Sequence, residues 1–178
     1  YRLTALGAAP GSSGEALFGE AVLFYLAGYA AVNLGAFGLI AALSRDGREP
    51  LSASDLAGLA ERRPALAAAL AVFLLSLTGI PLTAGFVGKL YLFNAAVAAG
   101  WTWLAVAGVL MSVVSAYYYL GVVVAMYMRP PAAEDPWASV SPSAAFALAV
   151  SFAVTLLLGV WPAPLLRAAR QAARSLLP

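Results

Sequence analysis

Long stretches without charge are the feature that most constrains this chain. Between Arg63 and Arg129 there is a single charged side chain, Lys89, and residues 21–44 and 136–166 have none. A helix that crosses a bilayer needs about 20 mostly apolar residues, and it pairs its backbone polar groups within itself. The sequence therefore predicts an all-α membrane protein, and we expect residues 1–178 to form a single membrane domain.

Composition excludes several classes of function. Hydrophobic residues make up 63% of the chain and charged residues 10%, whereas soluble domains carry about 25% charged residues. Cysteine and histidine are both absent, which leaves no ligands for a Cys/His zinc site and no histidine-based catalytic triad. There is no basic run for nucleic acid and no dinucleotide or phosphate-loop motif. We therefore expect a lipid bilayer around the chain, with no nucleic-acid partner, no metal site and no cofactor-binding residue.

The charge pattern predicts four spans, at about 21–44, 65–99, 103–128 and 143–161. The second span is too long, because a continuous helix over 65–99 would measure about 50 Å against a hydrocarbon core of about 30 Å. Its middle contains Gly79, Pro81 and Gly85. Proline removes a backbone donor, and glycine permits non-helical dihedral angles. The sequence therefore predicts a discontinuous helix, broken between Gly79 and Gly85 and facing protein or a wet cavity there.

Two shorter elements are predicted outside the spans. Ser52 is a typical N-cap residue and indicates a short surface helix that ends near Arg62. Near the C-terminus, arginines recur at helical spacing opposite leucines, which favours a short amphipathic helix at the membrane interface. The residues of this pattern are Arg167, Arg170 and Arg174 on one side and Leu165, Leu166, Leu176 and Leu177 on the other.

Lys89 is the strongest candidate for chemistry. An ammonium near the centre of a bilayer costs roughly 2.5–3.5 kcal/mol, so its presence needs a reason. The chain contains nine arginines and one lysine, and the single lysine stands at the single buried cationic position. Lysine can release its proton in a protein, whereas arginine cannot. We therefore predict proton transfer at Lys89, against the alternatives that it extends to the headgroups or forms a structural ion pair.

Other polar residues suggest a water path next to Lys89. Hydroxyl groups cluster on the third span, and Thr83 lies within the break, where it would also satisfy freed backbone groups. Small and hydroxyl residues equally serve to pack membrane helices, so packing remains the alternative. The candidates for the path are Thr83, Ser112, Ser115, Tyr117 and Tyr118.

Several segments resemble a known family. Residues 75–93 read LSLTGIPLTAGFVGKLYLF, residues 23–29 read LFYLAGY, and residues 115–120 read SAYYYL. They resemble the antiporter-like membrane subunits of respiratory complex I, and within them the N subunits of bacterial NADH–quinone oxidoreductase. The related M subunits typically have glutamate at the position of Lys89. One departure is Gly121, where the family commonly has arginine.

The resemblance implies a subunit of about fourteen helices built on inverted repeats, each with a broken helix. This chain would be the C-terminal part, with Lys89 as the lysine of the second broken helix. The subunit would translocate protons in the bacterial inner membrane as a multi-pass protein, driven by electron transfer from NADH to quinone in other subunits. Those membrane subunits would be its partners, and FMN, the iron–sulfur clusters and quinone would be bound elsewhere in the complex.

Two other functions are compatible with the same residues. Multisubunit sodium/proton antiporters and membrane hydrogenases share much of the motif around Lys89. A passive scaffold, which holds neighbouring subunits and conducts nothing, would need the apolar helices but not the lysine.

Overall fold

The computed structural model describes residues 13–44, 52–131 and 137–176. Within these ranges the chain is helical and contains no strand, as the sequence predicts. Its elements in chain order are α1 (Ser13–Ala42), a 3-10 helix (Ala53–Leu56), α2 (Leu59–Arg62), α3 (Pro64–Thr78), α4 (Ala84–Ala98), α5 (Thr102–Met128), α6 (Pro142–Val160) and α7 (Ala163–Leu176). By length and composition α1, α5 and α6 are able to cross a membrane.

The predicted second span is two helices. α3 and α4 have 15 residues each, so each rises about 22 Å at about 1.5 Å per residue. Neither is long enough alone to cross a core of about 30 Å, and the discontinuous helix is confirmed. The break is shorter than predicted, because α4 already includes Gly85. A Cβ atom at this position would lie 1.8 Å from the carbonyl oxygen of Ser76, so Gly85 allows two backbones to meet and does not serve as part of the break.

Backbone geometry ends α3 at the predicted glycine. Gly79 has φ +95°, in the left-handed region that glycine adopts without strain. Its N–H bonds to the carbonyl of Ser76 at 3.1 Å, and the N–H of Ile80 bonds to that of Leu75 at 3.1 Å, which is a Schellman motif. Leu82 also has a positive φ of 71°, an uncommon and strained conformation for a side chain of this size.

Helix α1 is the centre of the packing. It contacts α3, α4, α6 and α7, while α5 lies against α3 and α4. Phe73 of α3 is fully buried, and its ring occupies the space left by Gly35, where a Cβ atom would lie 2.4 Å away. Helix α5 remains largely uncovered, since large apolar side chains such as Met111 and Val113 are exposed. The bundle therefore has a packed side at α1 and an apolar open side at α5.

The surface segment between α1 and α3 differs from the prediction. The backbone N–H of Ser52 donates to the carboxylate of Asp55 at 2.9 Å, so the N-terminal signal is correct. Gly58, with φ +70°, then separates the 3-10 helix from α2, so two short helices replace the single one expected. Residues 45–51 and the linker 132–136 lie outside the described residues.

The predicted amphipathic helix is α7. Leu166 and Ala169 are buried and pack against Phe24 of α1, so much of the apolar side faces protein. Arg170 donates from Nε to the carboxylate of Glu20 at 2.6 Å. This hydrogen bond and the charge of Glu20 raise the pKa of Arg170, and the ion pair fastens α7 to α1. The side chains of residues 174–176, and Leu177, lie outside the described part.

The close contact between α6 and the break gives a first prediction. A Cβ atom at Gly159 would lie 2.2 Å from the carbonyl oxygen of Leu82, so Gly159→Ala should lower the free energy of unfolding by about 1–3 kcal/mol through overpacking. Gly121 on α5 is the matched control, because a Cβ atom there meets nothing within 4 Å. Thermal unfolding in detergent measures both variants. Equal stability of Gly159→Ala and Gly121→Ala would contradict the packing described.

Candidate functional site

Lys89 reaches back from α4 to the end of α3. Its Nζ donates to the carbonyl oxygen of Leu77 at 2.8 Å and to that of Thr78 at 3.2 Å. The side chain is partly buried, and its aliphatic part runs past Gly79, where a Cβ atom would lie 3.3 Å from Cδ. The amine therefore sits on the helix break and does not extend toward the far end of α4.

The two carbonyls have no hydrogen-bond donor within the helix because of the residues that follow them. In a continuous helix the carbonyl of Leu77 accepts from the residue four positions later, which is Pro81 and has no N–H. The carbonyl of Thr78 would pair with Leu82, whose left-handed conformation lies outside the helix. The C-terminal end of a helix carries a partial negative charge. The end of α3 therefore offers a cation both hydrogen-bond acceptors and a negative electrostatic potential.

The surroundings of Lys89 differ from those of Arg170. Among the residues that the structure describes, no carboxylate is paired with Lys89; its acceptors are backbone carbonyls. Arg170, by contrast, is held by Glu20, whereas Arg63, like Lys89, donates to backbone carbonyls, those of Trp137, at 3.0 Å, and Ala138. Within the described part of the chain, Lys89 thus has no fixed counter-ion that would keep its charge permanent.

A cavity of about 440 Å³ adjoins the amine. It lies between the break, α4 and α5, and most of its wall is apolar. Ser112 contributes one of its few polar groups, although the hydroxyl donates to the carbonyl of Gly108 at 2.9 Å. The lining residues are Thr78, Gly79, Ile80, Phe86, Lys89, Leu90, Phe93, Val109, Ser112, Val113, Ala116 and Leu120.

The structure brings only some of the predicted path residues to Lys89. Ser112 shares its cavity, and Thr83 lies in the break, where its hydroxyl donates to the carbonyl of Ile80 at 2.7 Å. Ser115 bonds within α5 to Met111, while Tyr117 and Tyr118 are 79% and 67% exposed. Neither Thr83 nor these last three residues line the cavity. A water path through the five residues stays a prediction.

Ser76 is a residue of the site that the sequence did not reveal. It is fully buried, and its Oγ accepts a hydrogen bond from the backbone N–H of Gly85 at 3.1 Å. Ser76 therefore joins α3 to the first turn of α4. Its position in the turn before the break is the only signal that the sequence offers.

The crowding at Gly79 gives a second prediction. Gly79→Ala should lower stability by about 1–2 kcal/mol, since alanine is strained at positive φ and its methyl group would press on the Lys89 side chain. Gly100→Ala is the matched control: Gly100 has φ +83°, but a Cβ atom there would meet nothing within 4 Å, so it reports strain alone. The free energy of unfolding of Gly79→Ala should be lower than that of Gly100→Ala. Equal losses would show that the contact with Lys89 adds nothing.

Comparison with known proteins identifies the family of the chain. Residues 12–115 match the family model described as NADH:quinone oxidoreductase/Mrp antiporter, TM. The chain is 45% identical, over 92% of its length, to NADH-quinone oxidoreductase subunit N of Trichlorobacter lovleyi, of which it covers 34%. It is also 45% identical, over 88% of its length, to subunit N 1 of Solibacter usitatus, of which it covers 32%. The chain thus spans about a third of the length of these curated relatives.

Two solved structures have a similar fold. A chain of respiratory complex I from Thermus thermophilus with bound aureothin is 37% identical, with a TM-score of 0.75 over 86% of this chain and 36% of that one. A chain of the Mrp complex from Dietzia sp. is 26% identical, with a TM-score of 0.73 over 90% of this chain and 39% of that one. The resemblance stated from the sequence is confirmed, and the chain belongs to the NADH:quinone oxidoreductase/Mrp antiporter transmembrane family.

Proposed function

We propose that this chain is the C-terminal part of a proton-translocating N-type subunit of NADH–quinone oxidoreductase, with Lys89 as its proton carrier. The observation that carries the proposal is the amine of Lys89, bonded to the carbonyls of Leu77 and Thr78 at the helix break. The relatives named NADH-quinone oxidoreductase subunit N support the choice of complex.

The geometry suits a group that gains and loses a proton. As an ammonium, Lys89 is stabilised by two carbonyls and by the C-terminal dipole of α3. Its remaining N–H is free to meet water in the adjoining cavity, to which a proton passes when a neighbouring charge raises the energy of the ammonium. The neutral amine still donates to a carbonyl, so the side chain keeps its place and is ready to accept the next proton.

In this proposal the chain performs no redox step. Electrons pass from NADH to quinone in other subunits, where FMN and the iron–sulfur clusters are bound, and this chain receives only the resulting change of electric field or conformation. Its partners are other membrane subunits of the complex, which would cover the open apolar side of α5. Its location is the bacterial cell membrane, crossed several times.

A second candidate is a subunit of a sodium/proton antiporter, which the likeness to a chain of an Mrp complex favours. Both functions place an exchangeable cation at the same break, so the local geometry does not separate them. Purification of the native complex does: flavin and iron–sulfur proteins that co-purify with the chain would support the oxidoreductase and exclude the antiporter.

Substitution of Lys89 tests the proposal. In the assembled complex, Lys89→Ala should lower NADH-driven proton translocation about tenfold or more, equivalent to a barrier higher by at least about 1.4 kcal/mol. Lys89→Arg should be equally impaired, because a guanidinium keeps the charge but does not release its proton. Proton uptake by vesicles, measured together with NADH oxidation, gives the ratio of protons to electrons.

The matched control is Asn94→Ala, which removes an exposed polar side chain from α4 without touching the break. It should translocate protons as the unchanged chain does. If assembled Lys89→Ala complexes keep the unchanged ratio of protons to electrons, the chain is a passive scaffold and the proposal is wrong.

A further inference from the structure

We propose that Ser76 is a positioning residue for proton transfer, which sets the distance between the Lys89 amine and the carbonyls of α3. The inference rests on the function proposed above and extends it to a residue that contacts neither the amine nor the cavity. Ser76 acts through the backbone of Gly85.

The first step is the hydrogen bond that begins α4. The N–H groups in the first turn of a helix have no partner within it, and a side chain at the N-cap position usually supplies one. Thr83 holds that position in α4, but its side chain makes no capping bond; its hydroxyl lies against the carbonyl of Ile80, to which it donates. Ser76 takes over the role from another helix, as its Oγ accepts from the N–H of Gly85 at 3.1 Å.

The second step is steric. A Cβ atom at Gly85 would lie 1.8 Å from the carbonyl oxygen of Ser76 and 3.1 Å from its Oγ. The two helices therefore touch backbone to backbone at this point, and Ser76 is fully buried there. Such a contact fixes the position of α4 against α3 closely, because buried packing has little free space to absorb a shift.

The third step connects this contact to the amine. Lys89 lies four residues after Gly85, on the same side of α4, and Leu77 directly follows Ser76 in α3. The Ser76–Gly85 contact and the Lys89–Leu77 hydrogen bond thus close a small ring of atoms between the two helices. Any change in the first contact alters the distance in the second. Ser76 neither lines the cavity nor bonds to Nζ, so its effect reaches the proton only through this ring.

The test is Ser76→Ala in the assembled complex. The substitution leaves the side-chain volume nearly unchanged but leaves the Gly85 N–H without its acceptor, which is costly in a buried place. We expect proton translocation to fall about threefold to tenfold. The midpoint of its pH profile should move to lower pH by about half a unit or more, since a less well-held ammonium gives up its proton more readily.

Two further variants separate positioning from general stability. Thr155→Val removes another fully buried hydroxyl, one that donates to Ser151 within α6 at 2.8 Å, and should leave the pH profile unchanged. Gly85→Ala disturbs the same contact from the other side. It should displace the profile in the same direction as Ser76→Ala and by a larger amount.

The outcomes are distinct. An unchanged pH profile in Ser76→Ala, or the same displacement in Thr155→Val, would overturn the inference. Failure of Ser76→Ala to assemble, while Thr155→Val assembles, would show a folding role and overturn it too. With Lys89→Ala already present, Ser76→Ala should add no further loss. If Lys89→Ala itself has no effect, the proposed function fails; if only Ser76→Ala is silent, the positioning role alone fails.

Discussion

A backbone polar group inside a bilayer needs a hydrogen-bond partner within the protein. The interrupted helix has to meet this requirement at the break, where its own series of backbone hydrogen bonds ends. The structure meets it for several groups at the break. The N–H groups of Gly79 and Ile80 turn back onto α3, and the carbonyl of Ile80 accepts from Thr83. Lys89 donates to the carbonyls of Leu77 and Thr78. Within the described residues, no buried side-chain nitrogen or oxygen lacks a hydrogen-bond partner. Lys89, the functional candidate, thus also satisfies two backbone carbonyls of the break.

The break could be predicted because its causes are local. Proline at position 81 and glycine at position 79 act through their own dihedral angles and missing groups, which the sequence displays directly. The sequence predicts the same cause for Gly85, but Gly85 has a different one, the close approach of α4 to Ser76. Contacts of this kind depend on how two helices meet in space. A single sequence does not contain that information, so it does not indicate the contacts of Ser76 and Gly159.

The candidate site was predicted unevenly for a related reason. Lys89 stands out because charge is scarce in the membrane, and no neighbour is needed to see it. The hydroxyl residues of α5 are close together in sequence, but each step along a helix turns by about 100°, so they point in different directions. Ser112, Ala116 and Leu120 share the side that faces the cavity, while Ser115, Tyr117 and Tyr118 lie off it. Rotation of about 100° per residue places Tyr118 about 120° from Ser112, but it leaves Ser115 only about 60° away, so the position of α4 decides that Ser115 lies off the cavity.

The left-handed backbone conformation of Leu82 depends on the packing of α6. A leucine holds such a conformation only when its surroundings oppose relaxation, and Gly159 brings α6 directly against the carbonyl of this residue. The contact with α6 therefore holds Leu82 in its strained conformation. A sideways movement of α6 would let the backbone of Leu82 relax. The neighbouring peptide planes would then rotate and turn the α3 carbonyls relative to Lys89. A force applied at the edge of the bundle would in this way reach the lysine ammonium without any charged residue in between.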